Sequence, residues 1–286
     1  MSSKVMLDDL FGYKVVALLG EGARSKLYAV KDRQTGATYT LKHVVIDESR
    51  DKDDRYLKQV ETEYTTLREL NHPAIRKMIA LKRARPLVKV MEVALVLEMI
   101  DSSTLEEEPP KLLRDYVRIF AEVAEGLAHM HEKGFVHADM KTGNIMMPVG
   151  RDSEKMAKII DLGQSCKIGT IKPRFQGSPG YMAPEQSAKE AIVERTDVYN
   201  FGATMYRALV RDWAETVLVP GGSKSRSPQE VPATIPAFER VPGLDSELSL
   251  LVSECLHLKM ERRIDSMQKV ATKLRTLEKT VKNIAL

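Results

Sequence analysis

His137-Ala138-Asp139-Met140-Lys141-Thr142-Gly143-Asn144 places a carboxylate, an ammonium and a carboxamide within a single short stretch, directly after a long apolar-periodic segment. A loop this polar between apolar runs needs a chemical reason. A carboxylate can accept a hydroxyl proton, an ammonium can offset charge on a transferred phosphoryl group, and an amide oxygen can ligate a hard divalent cation. Downstream, Lys158-Ile159-Ile160-Asp161-Leu162-Gly163 ends a short apolar strand on a second carboxylate suited to holding a metal.

Upstream of this stretch, the helical pattern Leu113, Tyr116, Ile119, Phe120, Val123, Leu127, Met130 stops at Lys133-Gly134. The first hundred residues have a different texture. Tyr13 to Leu19, Leu27 to Lys31 and Thr38 to Val45 read as antiparallel strands, with the turn Arg33-Gln34-Thr35-Gly36 between the last two. Leu57, Val60, Tyr64 and Leu67 then mark one apolar helical face, ended by Asn71-His72-Pro73. Further strands are expected at Ile75 to Ile79 and Ala94 to Glu98. The expected division is a β-rich lobe over residues 1–98 and an α-rich lobe over 99–286, with the cleft between lobes a natural ligand site. Val219 to Pro236, rich in Gly, Ser and Pro, reads as an exposed loop.

With 286 residues, 43% of them hydrophobic, the chain can bury a substantial core without staples. Cys166 and Cys255 are too few for a disulfide framework, which fits a reducing, cytoplasmic setting. The most apolar stretch, Val88 to Ile100, is interrupted by Lys89, Glu92 and Glu98, so no membrane segment is expected in this chain. A net charge of +4, with the basic residues dispersed, gives no reason to expect nucleic acid as a partner.

Gly20-Glu21-Gly22 lies between two expected strands, where glycine lets the backbone close over phosphates and present N–H groups to them. On its own it is an ordinary hairpin signal, and Ser25 stands where a third glycine would complete the usual pattern. Taken in order along the chain, however, the motifs resemble those of the eukaryotic-type (Hanks-type) serine/threonine protein kinases, most closely their bacterial members. Gly20-Glu21-Gly22 resembles the glycine-rich loop, Tyr39-Thr40-Leu41-Lys42 the strand with the ATP-positioning lysine, and Glu63 the helix C glutamate that should pair with Lys42. His137 to Asn144 looks like the catalytic loop and Asp161-Leu162-Gly163 the metal-binding turn. Ala183-Pro184-Glu185 is similar to the end of the activation segment, with Arg263 its partner. Asp197-Val198-Tyr199-Asn200-Phe201-Gly202 is similar to the start of helix F, whose aspartate anchors the catalytic loop.

The resemblance implies an α+β, bilobal fold, with a small β-rich lobe carrying helix C and a larger α-helical lobe. It implies ATP with Mg²⁺, or Mn²⁺ in its place, as cofactors. Asp139 would accept the substrate proton, Lys141 stabilise the γ-phosphate, Lys42 and Glu63 position the α- and β-phosphates, and Asn144 and Asp161 bind the metal. ATP would lie among Leu19, Gly20, Glu21, Gly22, Ala23, Arg24, Ser25, Leu27, Thr40 and Met146, with Leu97 as gatekeeper and the backbone of Glu98 and Ile100 supplying hydrogen bonds. On the substrate side, Ser178 would hydrogen-bond Asp139 and Lys141, and Arg207 would face the acceptor, a serine or threonine hydroxyl of a protein.

Several positions depart from the family pattern. Ala138 replaces the arginine that grips a phosphorylated activation segment, so activity is expected without that phosphorylation. Thr40 replaces the usual alanine and Leu162 the usual phenylalanine. At Gly143, Gly180 and Arg207, basic-directed kinases carry carboxylates, and their lack here suggests no demand for basic residues before the target. Met267, Val270, Leu274, Leu277, Val281 and Ile284 form a narrow helical stripe, expected to pack on the large lobe in preference to forming a homodimer. The competing readings are an ATP-binding pseudokinase and a signalling adaptor. Many bacterial relatives continue into a membrane anchor, so the chain is also readable as the cytoplasmic part of a longer protein.

Overall fold

The computed structural model of the chain describes residues 9–22, 24–47, 55–87, 90–147, 156–218, 220, 226–227 and 230–286. They fall into two units, one running to Asn71 and resuming at Arg76–Asp101, the other made of His72–Ile75 and Ser102–Leu286. This differs from a single division after residue 98. Ile75 bridges Ile159, the Ala74 carbonyl accepts from the Ile159 amide at 2.8 Å, and His72 stacks on His129, so this short segment packs within the second unit.

In the first unit, alternating side chains build one antiparallel sheet from β1 (Asp9–Leu10), β2 (Tyr13–Glu21), β3 (Ser25–Asp32), β4 (Thr38–Asp47), β5 (Met78–Leu87) and β6 (Val90–Glu98). Its order is β1-β2-β3-β4-β6-β5. Tyr28 pairs with Leu41 and Leu41 with Val96, and these residues join Tyr13, Val15, Val30 and Ala94 in a buried cluster on one face. Gly20, Leu27, Thr40, Lys42 and Leu97 sit one step out of phase and share the other face. The strand expected at 75–79 runs instead from Met78 to Leu87. Lys82, Arg83, Arg85 and Pro86 hide it from an apolar pattern, but β5 is an edge strand, where charge and proline discourage pairing with other chains. Helix α1 (Arg55–Glu69) buries Val60, Glu63, Thr66 and Leu67, a stripe that carries one carboxylate.

The second unit is organised around α2 (Leu113–Glu132), whose Tyr116, Val117, Phe120, Val123 and Leu127 are fully buried. Gly134, with φ +77°, turns the chain out of it. Helices α3 (Pro184–Ala188), α4 (Glu194–Val210), α5 (Ala237–Arg240), α6 (Ser246–Cys255) and α7 (Met267–Thr280) follow. The C-terminal stripe is buried within this unit through Val281, but the helix ends at Thr280, short of Ile284. Leu112 gives α2 no side-chain cap, and the Ile284 carbonyl accepts from the Leu113 amide at 2.9 Å instead. The extended tail thus satisfies a donor that the helix leaves open. Of the loop expected at 219–236, residues 219, 221–225 and 228–229 lie outside the described residues; Arg226 pairs with Glu215 at 2.9 Å.

Arg263 fastens α3 to the rest of the unit. Its guanidinium meets the Glu185 carboxylate twice, at 2.7 and 2.9 Å, and donates to the carbonyls of His257, Leu258 and Arg195. Both side chains are buried, so removing one partner strands a charge away from water. Arg263→Met is therefore expected to cost about 3–5 kcal/mol in urea unfolding; a loss no larger than that of an exposed arginine would contradict the role given to this pair.

Candidate active site

In the first unit, Lys42 on β4 and Glu63 on α1 are joined by a 2.7 Å ion pair, with Glu63 buried. The pair fixes the lysine head on the sheet face that also carries Gly20, Leu27, Thr40 and Leu97. Leu19 falls at a break in the β2–β3 register and is exposed, while Glu21 pairs in register with Lys26. Gly22 donates its amide to the Ser25 carbonyl at 2.7 Å, closing a tight turn at the end of β2. Arg24 lies over the Tyr56 ring, and Ala23 lies outside the described residues. Thr40 donates to Met99 Sδ at 3.4 Å. Glu98 and Ile100 lie at the end of β6 and just beyond it.

Arg76, which the sequence pattern did not single out, donates through Nε and Nη2 to the Glu98 carbonyl at 3.2 and 3.0 Å. Burial lowers its pKa, opposed by the charges of Glu63 and Glu98. The Glu98 side chain in turn accepts from the Lys77 amide at 2.6 Å, so Glu98 is braced through both its backbone and its side chain.

In the second unit, the loop of residues 137–144 follows β7 (Phe135–Val136) and is shaped by one buried carboxylate. Asp197 on α4 accepts the amides of His137 and Ala138, each at 2.8 Å, and its Oδ2 lies 2.9 Å from His131 Nε2. Burial alone would raise the Asp197 pKa, but the His131 hydrogen bond and charge, with the His137 charge and amide, outweigh it and the pKa is lowered. Ala138 adopts φ +61°, a left-handed turn costly for a residue with a Cβ, held in place by this carboxylate.

The loop delivers Asp139 to a compact polar group. Ser178 Oγ donates to Asp139 Oδ1 at 2.9 Å and accepts from Lys141 Nζ at 3.0 Å, while Lys141 Nζ lies 3.6 Å from Asp139 Oδ2. Burial raises the Asp139 pKa against the lowering effects of Lys141, Ser178 and His137, with Asp161 adding to the rise. Raising it moves a carboxylate toward the basicity that proton acceptance needs.

Asn144 donates Nδ2 to the Asp139 carbonyl at 2.8 Å, which turns its amide oxygen away from that bond. The Ile160 amide donates to the Asn144 carbonyl at 3.0 Å, so the loop and the Asp161 turn are tied together, and Asp161 takes φ +60°. An amide oxygen and a carboxylate are the hard donors that Mg²⁺ takes, and the orientation of Asn144 fits that use. Met146, on β8 (Ile145–Met146), is half-buried and pairs with Lys158 on β9 (Lys158–Ile159).

Beyond the Asp161 turn, β10 (Cys166–Lys167) pairs with β7, and β11 (Thr170–Ile171) with β12 (Ala191–Ile192). Gln186, and Asn200, which the helix F resemblance includes without giving it a role, complete the attachment of this segment. Gln186 Nε2 donates to the carbonyls of Ala138 and Gln176, and its Oε1 accepts from Asn200 Nδ2 and the Ala183 amide. Arg207, expected on the substrate side, is engaged: it donates to the Arg211 carbonyl at 2.7 Å, reaches Glu106 at 3.5 Å and lies over the Trp213 ring. Glu106 also accepts from Thr142.

Because the Asp139 pKa is raised by folding, its ionisation works against the fold. That cost is absent below the ordinary carboxylate pKa and complete above the raised one. Asp139→Asn should therefore raise Tm at pH 7, and the gain should shrink as pH falls through the carboxylate range. A variant less stable than the parent at pH 7 would contradict the burial described here.

Comparison with known proteins agrees with this geometry. The sequence profile described as "Protein kinase domain" matches residues 13–274. The chain is 30% identical over 205 residues to the DNA damage-responsive serine/threonine-protein kinase RqkA of Deinococcus radiodurans, covering 68% of this chain and 29% of that protein. It is 25% identical over 261 residues to the serine/threonine-protein kinase PknB of Mycobacterium tuberculosis (88% and 40%), and 27% over 207 residues to pkn3 of Myxococcus xanthus (70% and 38%). The chain thus spans well under half the length of these relatives. With nearly its whole length matched, and with the Lys42–Glu63 pair, the Asp197-anchored loop and the Glu185–Arg263 lock in place, the chain belongs to the protein kinase family.

Proposed function

We propose that the chain is an active serine/threonine protein kinase, transferring the γ-phosphoryl group of ATP to serine or threonine hydroxyls of proteins, its own among them. The observation that carries this reading is the hydrogen-bonded group Asp139–Ser178–Lys141, in which a serine hydroxyl orients the carboxylate that would receive the acceptor proton. The naming of the relatives as serine/threonine kinases supports it. Asp139 aligns the acceptor hydroxyl and takes its proton, Lys141 faces the charge on the transferred group, and Lys42, held by Glu63, positions ATP. Leu19 to Ser25, Leu27, Thr40, Leu97, Glu98, Ile100 and Met146 are the nucleotide-binding residues of this reading. Asn144 and Asp161 would hold Mg²⁺, which when bound neutralises phosphate charge.

Ala138 supports activity without a phosphorylated activation segment, since it offers no charge to a phosphate. Acceptors need no basic flank, because Gly143 and Gly180 bring no carboxylate and Arg207 is held by Glu106. No helix among the described residues is long and apolar enough to cross a membrane. The proposed setting is the cytoplasm, where ATP is available.

Phosphate incorporation from γ-labelled ATP with Mg²⁺, into the chain itself and into serine, threonine and tyrosine peptides, tests the reading. Incorporation on serine and threonine is expected. Asp139→Asn should lower it by about 10²–10⁴-fold and Lys42→Met by about 10²–10³-fold. A silent parent that is still stabilised by Mg²⁺ and ATP would point to a pseudokinase, and one that binds neither to an adaptor.

A further inference from the structure

Lys172 lies within the activation segment, directly after β11, and is only 9% exposed. A long cation is rarely buried without a compensating partner. Its ammonium donates to the carbonyl of Gln164, just beyond the metal-binding turn, and lies in the field of the Asp139 and Asp197 carboxylates and the Cys166 thiol. Burial lowers the Lys172 pKa, with those three groups opposing. Around it, Ala138 packs with Val136 and Ile192, and Cys166 and Ile168 close over that cluster. The alanine thus leaves an apolar contact between catalytic loop and segment, at a place where the family pattern would bring an arginine.

We propose that Lys172 is a positioning residue: from inside the activation segment it supplies the buried positive charge that Ala138 omits beside the catalytic loop, and so keeps the segment ordered with no phosphate on it. The inference rests on the kinase reading for its effect on turnover, but the ordering itself does not. An arginine on the catalytic loop can hold the segment only when the segment carries a phosphate, because cation and anion must both be present. A lysine carried by the segment needs no such modification, since Asp139 and Asp197 are permanent. Its charge, and not merely its hydrogen bond to Gln164, is then what matters.

The test compares phosphatase-treated parent, Lys172→Arg, Lys172→Gln and Lys172→Met, each checked for a cooperative thermal transition. Amide hydrogen exchange of residues 164–177 is measured together with kcat for a serine peptide and the KM values for that peptide and for ATP. Lys172→Arg should keep the parent's exchange pattern. Lys172→Gln, which can still donate to Gln164, should exchange faster across 164–177 and lose about tenfold or more in kcat with little change in the KM for ATP. Lys172→Met should behave like the glutamine variant; if it does not fold, the arginine and glutamine pair carries the comparison. Unchanged exchange in Lys172→Gln overturns the proposal, whether or not the parent transfers phosphate. A parent with ordered residues 164–177 but no Asp139-dependent transfer overturns the kinase reading alone.

Discussion

The carboxylate of Asp197 is the constraint on which the catalytic geometry depends. Fully buried, it receives two consecutive loop amides and faces His131. An ion buried so completely is tolerated because two amides and His131 meet its oxygens, and the amide hydrogen bonds hold Ala138 in a left-handed conformation that it would not adopt unaided. From that turn follow the direction of Asp139, its contact with Ser178, and the attachment of Asn144 to the Asp139 carbonyl. Loss of the carboxylate would leave donors unpaired and the turn unsupported, so the cost would fall on geometry as much as on stability.

A second theme is that the groups fixing the activation segment are permanent. Gln186 links the Ala138 and Gln176 carbonyls through neutral hydrogen bonds, Asn200 orients Gln186 from α4, and two short strand pairs pin the segment along its length. Neutral bonds of this kind need no modification to form and are little screened by salt. They fit a chain in which residue 138 carries no charge.

How far the sequence disclosed this architecture depended on whether a residue's role is local or spatial. Asp139, Asn144 and Asp161 sit in short motifs whose chemistry requires those types at those spacings, and Lys42 and Glu63 meet as their motifs imply. The β2, β3 and β4 strands announced themselves by alternation. By contrast, β5 was misplaced because an edge strand is permitted the charges and proline that central strands exclude. Arg76, Lys172 and Gln186 have no role in the sequence pattern, and Asn200 none beyond its place in the helix F motif, because their partners lie on other elements, and an isolated polar residue looks the same in sequence whether solvated or buried. The helical stripe through Ile284 overran the true end of α7 because a pattern of apolar spacings says nothing of a tail that turns aside to cap another helix.

The most direct test of this account is single-turnover phosphoryl transfer by Asp197→Ala, at a temperature where it stays folded, alongside its affinity for Mg²⁺ and ATP. If Asp197 sets the position of Asp139, transfer should fall by about 10²-fold or more while nucleotide affinity changes far less. Transfer at the parent's rate in a folded Asp197→Ala protein would show that the loop holds its shape without the carboxylate, and would contradict the account at its base.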